Sequence, residues 1–88
     1  MNNEKQTIWV QARDVKVGDY FLGLEGWPED IRNEFEVGMV KVFQDEYVGS
    51  ATVLCTHEDE QVATGRVSEH ARYARIKIAA HEIARVQR

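Results

Sequence analysis

Disulfides, membrane-spanning runs and metal-ligand spacings are all missing from this chain, and proline nearly so. Its one cysteine, Cys55, cannot close an internal disulfide, which suits a reducing compartment. No apolar run approaches the roughly 18 residues of a membrane helix. The start, Met-Asn-Asn-Glu-Lys-Gln-Thr, lacks the basic and apolar stretches of a signal peptide, so the expected location is cytoplasmic. Neither Cys-x-x-Cys nor His-x-x-x-His occurs, and there is no glycine-rich phosphate loop, so no metal or cofactor is expected. Repeats, linkers and low-complexity tracts are also missing, which leaves a single domain over residues 1–88.

What is present is enough for a small core. Of the 88 residues, 43% are hydrophobic, too many for a disordered chain. The net charge of −4 conceals an asymmetry: residues 1–65 hold 5 basic side chains against 13 acidic, and residues 66–88 hold 6 against 2. Either late basic strands pair with early acidic ones across a sheet, or one pole of the surface is kept for a charged partner.

Periodicity gives short strands. Thr7 to Ala12 alternates, with Ile8, Val10 and Ala12 on one face and Trp9 and Gln11 on the other. Asp14 to Asp19 reads as a turn in which Val15 and Val17 tuck inward and Gly18 supplies an unusual φ. Tyr20–Leu24 is the next strand. A loop follows, with a short helical turn expected after Pro28 and Ile31 sharing a face with Phe35. Phe35 to Phe43 reads as one long strand whose phase shifts at Gly38, the mark of a β-bulge. A hairpin over Gln44–Gly49 returns into Ser50–Thr56. His57–Gln61 is a polar turn, and Val62–Val67 with Tyr73–Ile78 form a strand pair. Ala79–Glu82 turns into a closing strand, Ile83–Val86. About six strands with turn signals roughly every 8–12 residues imply an all-β fold, a small barrel or sandwich.

The order of parts resembles the SH3-like small β-barrels. Ala12, Val15, Lys16, Val17, Gly18 and Asp19 match the Ala-x-x-Val-Lys-Val-Gly-Asp turn between the first two strands of many such domains, including small phage-encoded barrels and the Hint domains of inteins. The ending from Tyr73 through Val86 is similar to theirs as well. The resemblance implies an SH3-like barrel of five to six antiparallel strands. It does not extend to splicing, because the chain has no nucleophile at its start, no Thr-x-x-His block and no final His-Asn pair.

Candidate sites follow from side-chain chemistry. Cys55 and His57 would share a strand face, but Glu58, Asp59 and Glu60 nearby disfavour a thiolate, so a core or rim thiol is the simpler reading. The acidic group Glu25, Glu29, Asp30, Glu34 and Glu36 reads as solvated loop charge or as a carboxylate pair for acid–base work. Tyr73, Arg75 and Lys77, flanked by Arg72, would share the outer face of a strand, either as a nucleic-acid footprint or as a salt-bridged face. Trp27 sits in the early loop, which often lines the groove of SH3-like barrels. It is either a lid on the core or a partner contact. The function expected is a non-catalytic binding module that docks on a protein partner or self-associates, such as a phage accessory or host-inhibitory protein. Its contacts would be Trp27, Glu29 and Asp30, with Trp9 or Phe43 at an exposed sheet face. Nucleic-acid binding through Tyr73, Arg75, Lys77 and Arg72 is the alternative.

Overall fold

The computed structural model describes residues 6–28, 30–31, 33–65 and 71–88. Their strands are β1 (Thr7–Gln11), β2 (Tyr20–Leu24), β3 (Phe35–Glu36), β4 (Met39–Asp45), β5 (Gly49–Cys55), β6 (Ala74–Ala79) and β7 (Ile83–Gln87). A 3-10 turn spans Ala12–Asp14, and a one-turn helix, α1, spans Glu60–Ala63. One antiparallel sheet has the order β1-β7-β2-β3 and the other β4-β5-β6. The all-β expectation holds, with seven strands in two open sheets among the described residues. Among the described residues 25–34 there is no helix, only a turn in which Ile31 N–H donates to the Pro28 carbonyl at 3.1 Å. Ile31 is exposed there while Phe35 is buried, so the two do not share a face.

The opening motif folds for visible reasons. Ile8 and Val10 face the core, Trp9 faces out, and Ala12 is fully buried. Asp19 N–H donates to the Lys16 carbonyl at 3.0 Å, and Gly18 takes φ 97° at the third position of that turn. This geometry throws Val17 outward, 66% exposed, while Val15 stays in the core; only one of the two valines tucks in. Asp19 itself is buried. Its Oδ1 accepts from Arg88 Nε at 2.9 Å, and its Oδ2 accepts from Lys16 N–H at 2.9 Å and Arg88 Nη2 at 3.1 Å. The carboxylate accordingly holds the Arg88 guanidinium above its ordinary pKa.

The stretch read as one strand from Phe35 to Phe43 is two strands in different sheets. Val37 N–H donates to the Asp19 carbonyl and Gly38 N–H to the Cys55 carbonyl, both at 2.8 Å, so the chain changes sheets between them. A Cβ on Gly38 would collide with the Thr56 carbonyl oxygen, which is why glycine stands at the crossing. The hairpin is as expected: Asp45 Oδ1 accepts from Tyr47 N–H at 2.8 Å, and Gly49 at φ 79° closes a three-residue loop.

β5 is buried on both faces. Leu54 joins Val15, Phe21, Phe35, Val37, Ala84 and Val86 between the sheets. Val53 and Cys55 pack on the other side against Val62 of α1, Met39, Phe43 and Tyr73. The strand expected over Val62–Val67 is therefore replaced at its start by a helical turn. Asp59 caps it, accepting from Gln61 N–H at 3.0 Å and Val62 N–H at 3.4 Å, and also from Tyr73 N–H at 2.8 Å. Those bonds, led by Tyr73, hold the Asp59 carboxyl below its ordinary pKa. The remainder of that expected strand, from Arg66 on, lies outside the described residues.

Candidate binding groove

Three residues form a row across the outer face of the four-stranded sheet. Trp9 on β1 is opposite Arg85 on β7, and Arg85 is opposite Gly23 on β2. The Arg85 guanidinium lies 5.8 Å from the centre of the Trp9 ring, a cation–π contact. β2 slips register between Phe21 and Gly23, and Gly23 adopts φ 137°. That leaves a flat place on the sheet which Trp27 covers: a Cβ on Gly23 would sit 3.2 Å from Trp27 Cε3. Trp27 also meets Phe21 edge-on, with ring centres 6.1 Å apart and planes at 88°.

Both tryptophans of the chain thus line one groove of about 150 Å³, with Pro28 and Ile31 from the loop and Glu34 and Arg85 at its rim. Trp27 is half-buried, at once a lid over Gly23 and Phe21 and a wall of the groove. Trp9 is 55% and Ile31 49% exposed. Such a groove suits an apolar or aromatic side chain. Asp30 is exposed in the same loop, and Glu29 lies outside the described residues. Glu25 and Glu36 are likewise exposed. Phe43 is elsewhere: it is half-buried against the second core cluster, since β4 turns that face toward α1.

Tyr73, Arg75 and Lys77 do not share an outer face. Cys55 is opposite Ala74 and Leu54 opposite Ile76, so Arg75 is the extra residue of a bulge. Tyr73 packs on the second cluster beside His57, with ring centres 4.9 Å apart, and Arg72 lies 5.5 Å from its ring centre. Arg75 lies 5.2 Å from the Phe35 ring centre and donates to Asn33 Oδ1 at 3.0 Å. Lys77 pairs with Asp45 at 2.7 Å, holding that carboxyl below its ordinary pKa. Each basic side chain of the expected footprint therefore has a partner inside the fold.

Cys55 is fully buried while His57 is exposed beyond the strand end, so the two do not form a pair on one face. Burial, then the nearby Asp59, pushes the Cys55 thiol up to about 11. Among the described residues no cluster of His, Cys, Asp and Glu has metal-binding geometry. The sequence reading misses Gly23 and the place of Arg85, which it sets on a strand beside the Tyr73–Lys77 face and the structure sets opposite Trp9. A glycine inside a strand rich in aromatic and aliphatic residues was the available signal for the first, and the outward phase of Arg85 between Ala84 and Val86 for the second.

Compared with protein-family models, with curated proteins and with solved structures, the chain matches none.

Proposed function

We propose that this chain is a small SH3-like β-barrel acting as a non-catalytic binding module, which docks on a protein partner or self-associates through its outer sheet. The observation that carries the reading is the convergence of Trp9 and Trp27 on one groove, although they stand 18 positions apart in the sequence. Aromatic walls with a charged rim are the usual make-up of a protein-recognition site. The barrel assignment is supported by the passage from β3 into β4, which joins the sheets, and by the 3-10 turn near the opposite seam. There Arg13 N–H donates to the Ala80 carbonyl at 3.1 Å, and Ala80 N–H donates to the Ser50 carbonyl at 2.8 Å.

Nucleic-acid binding is the weaker reading, because Arg72, Arg75 and Lys77 already have partners within the fold. Capture from a nuclease-treated cell lysate tests the choice. Proteins retained by the wild type are lost by Trp9→Ala and by Ile31→Asp. Retention by both variants refutes the groove, and capture that vanishes with nuclease favours the nucleic-acid reading.

A further inference from the structure

Among the described residues, β1 is hydrogen-bonded on one side only. Gln6 and Arg88 exchange both backbone hydrogen bonds at 2.9 Å, and Ala12 N–H donates to the Glu82 carbonyl at 2.7 Å. The even-numbered residues of β1 therefore point their backbone groups at β7. The N–H and C=O groups of Thr7, Trp9 and Gln11 project from the opposite edge, where no described residue bonds them.

The other sheet edges are guarded. β3 is two residues long, β4 carries Lys41 and Asp45, and β6 carries Arg75, Lys77 and a bulge. Short length, charge and bulges are the usual devices against strand addition. β1 has none of them: Thr-Ile-Trp-Val-Gln is uncharged, free of proline and in unbroken register with β7. On a chain of net charge −4, this edge lets a second copy approach without like charges meeting in the strand.

We propose that β1 is a dimer interface, where two copies pair antiparallel and join their four-stranded sheets into one eight-stranded sheet. Parity sets the register. Only the odd residues offer outward backbone groups, so full overlap puts Trp9 on the two-fold axis, with Thr7 opposite the second copy's Gln11. The two grooves then lie side by side on one continuous face. This inference sharpens the self-association in the proposed function, and it does not depend on what occupies the groove.

The test uses the full chain. Sedimentation from micromolar to millimolar concentration is expected to show a shift to twice the 10.1 kDa chain mass. Gln11→Pro is expected to abolish the dimer while leaving the far-UV spectrum unchanged. Gln11 already sits at φ −67°, and its N–H is one of the outward groups, so proline fits there without loss of an internal bond. Register is read separately by cross-linking. Trp9→Cys places two thiols across the axis with Cα atoms about 5.5 Å apart, within disulfide reach. Thr7→Cys separates its two copies by more than about 12 Å and does not cross-link. A monomer at every concentration overturns the proposal, as does a dimer that survives Gln11→Pro or equal cross-linking at both positions. Ile31→Asp is expected to remain dimeric, so loss of lysate capture in that variant reports the groove alone.

Discussion

The two tryptophans share a groove but carry different loads, and truncating each to alanine separates packing from recognition. Trp27 covers Gly23 and meets Phe21 edge-on. Cutting a fully buried tryptophan to alanine costs about 3–5 kcal/mol, so a half-buried ring is worth about 2 kcal/mol. The aromatic contact adds roughly 0.5–1.5 kcal/mol. A loss of about 2.5–3.5 kcal/mol follows for Trp27→Ala, which lowers the melting temperature of a domain this size by roughly 10–28 °C. Trp9 projects from an edge strand, and among the described residues its ring meets the exposed Arg85, whose cation–π contact is worth about 0.5–1 kcal/mol. Trp9→Ala should therefore cost less than about 1 kcal/mol. Urea unfolding followed by far-UV circular dichroism at low micromolar concentration measures both. Equal midpoints for Trp27→Ala and wild type would refute the lid. A loss in Trp9→Ala as large as that in Trp27→Ala would refute the division of labour.

Two further predictions concern the core. The Thr52 hydroxyl is buried without a hydrogen-bond partner, and its cross-strand neighbours are Val42 and Ile78. Thr52→Val keeps the shape and removes the unpaired group, so it should stabilise by about 1 kcal/mol, seen as a higher urea midpoint at unchanged slope. The second is acid sensitivity. Because the folded Asp59 carboxyl titrates below its ordinary value of 3.8, its stabilisation is present above that pH and is lost as pH falls through the lowered value. Asp59→Asn should start less stable at neutral pH and show a shallower acid limb in a pH series of thermal melts. Asp45 contributes in the same direction through Lys77, so some acid sensitivity should remain.

Much of this architecture is legible in the sequence where local chemistry and tertiary packing agree. The faces of β1, the Gly18 turn and the Asp45–Gly49 hairpin follow from alternation and turn residues alone. The phase change at Gly38 is legible too, but a bulge within one strand and a crossing between two sheets leave the same trace. Only the close approach of Thr56 distinguishes them. Val62 misleads because a β-branched residue after a polar stretch reads as strand, whereas the Asp59 cap and the apolar floor of Val53 and Cys55 make it helical. The groove was half visible. An outward Trp9 and a Trp27 at the loop can be guessed from strand phase and loop position, but the pairing of Trp9, Arg85 and Gly23 depends on register between strands far apart in the chain. Nothing in the sequence marks the bulge that diverts Arg75 from Tyr73 and Lys77.

The partnership of β1 with β7 also governs the order in which this molecule comes into being. The strand formed from residues 7–11 has no described neighbour in its sheet until residues 83–87 are available. The Asp19 carboxylate waits likewise for Arg88, 69 positions later. On a ribosome residues 7–11 are thus synthesised before their partner strand and held idle, an uncharged ribbon with both edges bare. Closure over so long a loop places folding toward the slow end for small domains, in milliseconds to seconds. During that interval the nascent chain is more exposed to intermolecular strand pairing than the finished fold.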